Sequence, residues 1–165
     1  MRKFLLPIIT LIVLAVAAPQ VSGQVTFGAQ LSYGTDIEEL GIGVRAYKSL
    51  DDFMEGLTGV ASFVYWLWDP GLDSATAWEL NIDGHYPMAF GEMDGYVGGG
   101  INIAHVAFEQ DLGILGTFED SDTQFGLNVL AGATFGSGEG MIPFVELKLE
   151  LSGGEQFVIQ GGVKF

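Results

Sequence analysis

The chain has 165 residues, the length of one ordinary domain, and it contains no cysteine, so disulfide bonds cannot stabilise it. Its 21 Asp and Glu residues outnumber its 6 Lys and Arg residues and give a formal net charge of −15. Because such a polyanion repels phosphate groups, nucleic acid is excluded as a partner. Hydrophobic residues make up 48% of the chain, and its 25 glycines are about twice the usual share of roughly 7%.

The first predicted element is a secretory signal peptide over residues 1–23. Two basic residues at its start precede an almost entirely apolar run, residues 4–18, and small residues follow. This run is shorter than the roughly 20 residues that a membrane-spanning helix needs, so we expect cleavage rather than an uncleaved anchor. The residue pattern places the cleavage site between Ala17 and Gly23. Removal takes away two basic residues and no carboxylate, which changes the net charge from −15 to −17.

The remainder of the chain alternates apolar and polar residues, which is typical of β-strands with two different faces. In the first segment, Phe27 and Leu31 share one face, and Gln30 and Ser32 share the other. Glycine, proline, aspartate and serine dominate the connections between segments, as turns require. Eight segments of about ten residues are predicted in chain order: 24–33, 40–47, 57–68, 77–86, 95–104, 124–135, 143–151 and 157–165.

The third segment is apolar on both faces, so its register is ambiguous from the pattern alone. We favour an apolar face that carries Ala61, Phe63, Tyr65 and Leu67. In the fifth segment, the glycine run 98–100 lies inside a strand and opens no helix, so it does not indicate a dinucleotide site. Close approach of the backbone or strong curvature of the sheet explains such a run better.

One connection, Val106–Thr123, is much longer than the others and is predicted to be a loop. Its acidic run Glu119–Thr123 could attract a hard divalent cation through carboxylate oxygens. The run lacks the spacing of a calcium-binding loop, so we interpret it as a solvated acidic loop. His85 and His105, with no cysteine, are too few for a zinc site. The sequence therefore predicts no metal and no cofactor.

Alternation does not decide which face of the sheet lies inside. With apolar residues inside, the chain would be a soluble periplasmic barrel that binds an apolar ligand. Three features favour the opposite arrangement, with apolar residues toward lipid. The polar face is rich in Gly, Gln, Asn, Ser and Thr rather than Lys and Glu, and the strand length matches a tilted membrane span of roughly 9–11 residues. Aromatic residues also lie near segment ends, as in interfacial girdles: Tyr33, Trp66, Trp68, Trp78, Tyr86 and Phe165.

The sequence therefore predicts an all-β fold, an eight-stranded antiparallel up-and-down transmembrane β-barrel over residues 24–165. The segments FVIQGGVKF, ELNIDGHYP and GYVGGGINI resemble the small outer-membrane β-barrel domain shared by OmpA- and OmpX-like proteins of Gram-negative bacteria. The resemblance implies a location in the bacterial outer membrane and contact with its lipids. In that family the barrel-assembly machinery reads the terminal aromatic strand, so the resemblance makes this machinery a partner and Phe165 the assembly signal.

An eight-stranded barrel is just wide enough for its own side chains, so charged residues on the inner face must pair. Asp83 and His85 share this face, but no serine is placed to complete a catalytic triad with them. We therefore predict no catalytic residue and interpret the charged residues as a polar network that fills the lumen. Its predicted members are Arg45, Glu79, Asp83, His85, Glu146, Lys148, Glu150 and Lys164.

The function expected from these features is a structural or surface-interaction role without catalysis. The alternative is a narrow channel for small solutes or ions, which would require a lumen free of side-chain plugs. A lipid-modifying barrel enzyme would need a Ser, His and acid constellation near the outer rim, and the sequence does not provide one. The residue pattern indicates no particular extracellular partner.

Overall fold

The computed structural model describes residues 25–69, 74–90, 93–111, 113–136, 140–152 and 155–165. Within this part of the chain, eight β-strands form a closed antiparallel barrel in which each strand pairs with its neighbours in sequence. The predicted fold class is confirmed, whereas the predicted signal peptide lies outside the described residues. The strands are β1 (Val25–Gly34), β2 (Glu39–Ser49), β3 (Thr58–Trp66), β4 (Ser74–Phe90), β5 (Met93–Asp111), β6 (Thr117–Thr134), β7 (Ile142–Glu150) and β8 (Gln156–Lys164).

The first and last strands close the barrel. In their antiparallel register, Gly28 lies opposite Lys164 and Gly34 lies opposite Val158. The backbone pairing continues past the end of β8, because the Phe165 N–H donates to the Phe27 carbonyl at 2.9 Å and the Phe27 N–H donates to the Phe165 carbonyl at 3.3 Å. This closure satisfies the backbone groups that an open sheet edge would leave without partners.

The two ends of the barrel differ in their connections. One end carries the first residue of β1 and the last of β8, together with the turn 50–57 between β2 and β3. We call it the terminus-side end. The opposite end carries the turn between β5 and β6, where the 3₁₀ turn Gly113–Leu115 lies. We call it the hairpin end.

The prediction of a long loop over Val106–Thr123 is wrong. β5 and β6 continue through this segment in regular register, with His105 opposite Thr123 and Asp111 opposite Thr117. β6 pairs with β7 only over residues 128–134, so the outer part of the β5–β6 pair extends beyond the closed barrel. Over most of this segment both strand faces are partly or fully exposed, so the apolar–polar contrast that marks a strand in the sequence is weak here. We call residues 106–123 the projecting hairpin.

Side chains of opposite character occupy the two surfaces of the barrel. In β7, for example, Val145 and Leu147 are about half exposed on the outside, whereas Glu146 and Lys148 are buried on the inside. The same alternation leaves large apolar side chains exposed on the outer surface of the other strands, among them Leu31, Leu80, Ile82, Ile101, Leu127, Val129, Phe157 and Ile159. The described residues include no helix long and apolar enough to cross a membrane.

Inward-facing glycines make room for large neighbours in the lumen. A Cβ atom at Gly41 would lie 2.9 Å from Cε3 of Trp66, and one at Gly132 would lie 2.4 Å from the Tyr96 hydroxyl. Packed side chains do not tolerate contacts this short, so a larger residue at either position would displace the aromatic ring. The high glycine content of the sequence thus matches a narrow barrel that is filled by a few bulky side chains.

Candidate functional site

The lumen is filled by two ion-pair clusters, of which the first is centred on Glu146 in β7. Arg45, from β2, donates from Nη1 to Glu146 Oε2 at 2.9 Å and from Nη2 to Glu146 Oε1 at 2.8 Å. Tyr96 donates its hydroxyl to Oε2 at 2.8 Å, and Gln160 donates from Nε2 to Oε1 at 2.9 Å. The Glu146 carboxylate therefore accepts four hydrogen bonds from three strands, which compensates for its removal from water.

The amides of Gln30 and Gln160 extend this first cluster across the β1–β8 seam. Gln30 accepts a hydrogen bond from Arg45 Nε and donates from Nε2 to Gln160 Oε1 at 2.7 Å. Ser32 donates its hydroxyl to the same Gln160 oxygen at 3.1 Å. These side chains thus link β1, β2, β7 and β8 through one hydrogen-bonded chain.

The second cluster is centred on Lys148, which is 1% exposed. Its ammonium contacts Glu79 Oε1, lies 2.8 Å from Glu150 Oε1 and donates to Asn81 Oδ1 at 3.1 Å. Two carboxylates therefore share one ammonium in the closed part of the barrel. Gln156 donates from Nε2 to the other oxygen of Glu150 at 3.0 Å.

Asp83, His85 and Lys164, the other predicted network residues, have separate surroundings. Asp83 accepts a hydrogen bond from Asn128 Nδ2 at 3.0 Å. His85 stacks on Tyr96 with ring centroids 4.5 Å apart, and its Nε2 is 3.7 Å from Glu146 Oε2. Lys164 lies at the terminus-side mouth with its Nζ 5.0 Å from the centroid of the Tyr47 ring. The structure therefore places seven of the predicted residues in the buried lumen and Lys164 at its mouth.

An apolar cluster occupies the hairpin-side part of the lumen, and its centre is Trp66. Trp66 is 5% exposed and packs with Val64, Ala77 and Val158, while Trp68 and Val106 pack against this group.

The favoured register of β3 is confirmed, since Phe63 and Tyr65 face outward. The assignment of Trp66 to an interfacial girdle is wrong, because the same register turns its ring inward, where the absence of a side chain at Gly41 leaves space.

Several residues of the site were missed because the search of the sequence followed charge. Gln30, Gln160 and Tyr96 are uncharged, yet they supply the hydrogen bonds that complete the Glu146 cluster. Their positions on the polar faces of the alternating segments were the available signal. Phe165, the predicted assembly residue, is 42% exposed on the outer surface where β8 meets β1.

The described residues contain no group of three or more His, Cys, Asp and Glu side chains that could hold a metal ion. The carboxylates of the lumen are instead engaged by ammonium, guanidinium and amide groups. Chemically, this arrangement can hold the eight strands in register and exclude water from the middle of the barrel. The geometry thus describes a filled, hydrogen-bonded interior with an apolar exterior.

Comparison with solved structures agrees with this description of the fold. The chain is similar to the N-terminal β-barrel domain of Pseudomonas aeruginosa OprF, with a TM-score of 0.59 and 15% identity over 86% of this chain and 96% of that chain. A de novo designed transmembrane β-barrel matches with a TM-score of 0.54 and 14% identity, covering 90% of this chain and 98% of that chain. Ail, the attachment invasion locus protein of Yersinia pestis, matches with a TM-score of 0.52 and 11% identity, covering 85% and 91%.

No protein-family model matches the chain, and no curated protein matches it in sequence. The structural similarity extends over nearly the whole length of the matched chains, so it concerns the complete barrel. The chain therefore has the fold of the small eight-stranded outer-membrane barrels. The resemblance to OmpA- and OmpX-like barrel domains, which the strand patterns indicated, is confirmed for the fold.

Proposed function

We propose that the chain is an integral protein of the bacterial outer membrane, with a structural and surface-interaction role and no catalysis. The observation that carries this proposal is the reversed polarity of the barrel. Leu80 and Val129 are 39% and 52% exposed on the outside, whereas Glu79 and Lys148 are 1% exposed inside. A surface of this kind is stable against hydrocarbon and would aggregate in water.

Electrophoresis of boiled and unboiled protein from the outer-membrane fraction tests this membrane location. A closed barrel stays folded in cold detergent, so the unboiled sample is expected to migrate differently from the boiled one. Recovery of the chain in the soluble periplasmic fraction, with one mobility for both samples, would contradict the proposal. That result would favour a soluble barrel that binds an apolar ligand.

The filled lumen supports a scaffold rather than a channel. Along the barrel axis, the hydrogen-bonded cluster of Arg45 and Glu146 and the apolar cluster of Trp66 both occupy the interior. Ions would have to displace buried ion pairs to pass, and breaking such a pair is costly. Reconstitution in planar lipid bilayers is therefore expected to give no steady single-channel conductance. Reproducible conductance steps from folded protein would establish the alternative function, a narrow channel for small solutes or ions.

The projecting hairpin is proposed to be the element that meets partners outside the cell. Its residues include five carboxylates and no Lys or Arg, and its tip residue Ile114 is fully exposed, with Phe118 half exposed. The acidic character favours partners that present cationic or neutral groups, because polyanions are repelled. An extended, paired hairpin also holds these side chains more rigidly than a loop would.

Epitope tags inserted at the two ends of the barrel test which end faces outward. One tag follows Ile114 in the projecting hairpin, and the control tag follows Met54 in the turn 50–57. Antibody is expected to label intact cells that carry the Ile114 tag, and to label the Met54 tag only after the outer membrane is permeabilised. Labelling in the opposite pattern would show that the hairpin faces the periplasm and would refute its proposed role.

The outer-membrane lipids and the barrel-assembly machinery are proposed as partners during insertion, with Phe165 as the recognised residue. Two features support this: the aromatic ring lies exposed at the end of β8, and β8 closes the barrel against β1. Phe165→Ala is expected to lower the amount of heat-modifiable barrel in cells. Phe53→Ala, in the exposed turn 50–57, is the matched control and should have no effect. Equal yields for both variants would remove the assembly role from Phe165.

A further inference from the structure

A cavity of about 360 Å³ opens at the hairpin end of the lumen. Glu79 and Glu150, the two carboxylates of the Lys148 cluster, line its inner part. Trp66 and Trp68 line its wall, and Asp36 and Asp122 line it nearer the turns of this end. Its lining therefore combines buried carboxylates with indole rings.

One oxygen of Glu79 is among eight buried side-chain atoms that have no hydrogen-bond partner within the described residues. Glu79 is 1% exposed, its Oε1 contacts the Lys148 ammonium, and its Oε2 is buried without a donor. A buried, charged acceptor without a donor is unfavourable, and folded proteins rarely retain one without a reason. Because Glu79 lines the cavity, a ligand there could supply the missing partner.

Acidic side chains outnumber basic side chains around the cavity. Glu79 and Glu150 share the single ammonium of Lys148, so carboxyl groups outnumber ammonium groups in this cluster. Asp36, Asp122 and Glu155 add further carboxylates, and no Lys or Arg is among the described residues that line the cavity. An enclosed site with this imbalance raises the local concentration of cations.

The tryptophans indicate which kind of cation fits. Trp66 belongs to the buried apolar cluster, Trp68 packs against it, and both residues line the cavity. Indole faces attract cations through the ring quadrupole, and they suit weakly hydrated organic cations better than strongly hydrated inorganic ions. The described residues also lack a cluster of three acidic or imidazole side chains that could hold a metal ion.

We propose that this cavity binds a small organic cation of the quaternary ammonium class. The Glu79 and Glu150 carboxylates hold its positive charge, and the indole rings of Trp66 and Trp68 contact its methyl groups. This inference goes beyond the scaffold role. The test of this inference is independent of which end of the barrel faces outward, because choline binding is measured with folded barrel in detergent.

Choline chloride is the probe, and its neutral carbon isostere 3,3-dimethylbutan-1-ol is the matched control ligand. All three tryptophans of the chain lie at this end of the barrel, so intrinsic fluorescence reports on the cavity. Choline is expected to change the fluorescence in a saturable way at constant ionic strength. The isostere should bind at least about tenfold more weakly, which corresponds to about 1.4 kcal/mol. Equal responses to choline, the isostere and sodium chloride would overturn the proposal.

The binding site is located by comparing the choline affinity of variants, measured by isothermal titration calorimetry. Glu79→Gln and Trp68→Leu are each expected to weaken choline binding about tenfold or more, since each removes one class of contact. Phe63→Leu is the control variant, because Phe63 faces the outside of β3, the strand that carries Trp66, and does not line the cavity. Unchanged affinity in Glu79→Gln and Trp68→Leu would place any choline binding elsewhere and refute the site.

Folding of each variant is checked by its heat-modifiable mobility. If Glu79→Gln does not fold, Asp122→Asn replaces it, because Asp122 is exposed on the projecting hairpin and is outside both lumen clusters. Asp122→Asn is expected to weaken choline binding severalfold, and unchanged affinity in both Asp122→Asn and Trp68→Leu would contradict the proposal. Failure of these tests leaves the proposed membrane location intact, because that location is tested by fractionation.

Discussion

Arg45 and Glu146 lie 101 residues apart in the sequence, yet their side chains form a two-pronged ion pair inside the barrel, with N–O distances of 2.8 and 2.9 Å. The pair joins β2 to β7 across the lumen, so strands that do not neighbour each other in the sheet are tied together. Both residues are at most 3% exposed. The contact depends on the pairing of β1 with β8, which brings β2 and β7 together although they are far apart in the sequence.

Removal of one partner of this ion pair is expected to be strongly destabilising. Arg45→Leu leaves the Glu146 carboxylate buried without its main counter-charge, so the free energy of unfolding should fall by about 3–5 kcal/mol. In the double variant Arg45→Leu/Glu146→Leu, the loss of unfolding free energy should be smaller than the sum of the losses in the two single variants, because no lone charge is left buried. Urea titrations of barrel folded into lipid vesicles measure these differences. Fully additive losses would show that the two side chains do not interact.

The narrow lumen makes Gly41 sensitive to the smallest enlargement. In Gly41→Ala, the new Cβ would lie 2.7 Å from Val64 Cγ1 and 2.9 Å from Trp66 Cε3. We expect a loss of about 1–3 kcal/mol in unfolding free energy together with a changed tryptophan emission maximum. Gly161→Ala is the matched control, since the atom nearest its new Cβ would be the Phe144 carbonyl oxygen at 3.7 Å. If Gly161→Ala proved equally harmful, general strand effects rather than crowding near Trp66 would be responsible.

The outer apolar surface predicts where a charge is harmful. Val129 lies near the centre of the outward apolar residues of β6, between Phe125 and Ala133; it is 52% exposed and paired with Gly99 and Leu149 on the adjacent strands. Val129→Arg should destabilise the barrel in lipid by about 2–4 kcal/mol, because it places a charge near the bilayer midplane. Ile114→Arg, at the tip of the projecting hairpin, should leave stability unchanged. Equal stability of both variants in vesicles would mean that the outer surface does not face lipid.

The turn 50–57 at the terminus-side end contains a local pH-sensitive contact. Asp51 Oδ1 accepts the Gly56 N–H at 2.7 Å, and Oδ2 accepts the Ser49 hydroxyl. The Ser49 hydroxyl, followed by the Gly56 N–H, holds the pKa of the Asp51 carboxyl below its ordinary value of 3.8. A lowered pKa favours the folded turn above the unfolded-state pKa, and this contribution is lost as the pH falls through the folded-state pKa.

Nuclear magnetic resonance titration of the Asp51 side chain measures this effect directly. Ser49→Ala is expected to raise the Asp51 pKa toward its ordinary value, because it removes the larger of the two stabilising hydrogen bonds. Gly56 amide protection should decrease at the same pH at which Asp51 is protonated. A Ser49→Ala variant with an unchanged Asp51 titration would show that the hydroxyl does not stabilise the carboxylate.

Strict alternation determined most of the fold. The segments in β1, β4 and β7 have uninterrupted period-two patterns, and their apolar and polar faces became the outer and inner surfaces of the barrel. Residues such as Glu146, Lys148 and Glu150 could be placed inside from spacing alone, because neighbouring side chains in a strand point to opposite faces. The number of segments and the turn chemistry between them then predicted the up-and-down order of the strands.

Tertiary structure alone decided how the inner side chains combine. Alternation fixes a face but not the relative height of residues on distant strands, so it could not show that Arg45 pairs with Glu146 while Lys148 joins Glu79 and Glu150. Only the structure settled the side of Trp66, because β3 is apolar on both faces and the favoured register was one of two that the pattern allowed. The projecting hairpin escaped detection for a related reason: where solvent wets both faces, strand pairing leaves no apolar stripe. The sequence determines which surface each residue faces, and closure of the barrel determines which partner it meets there.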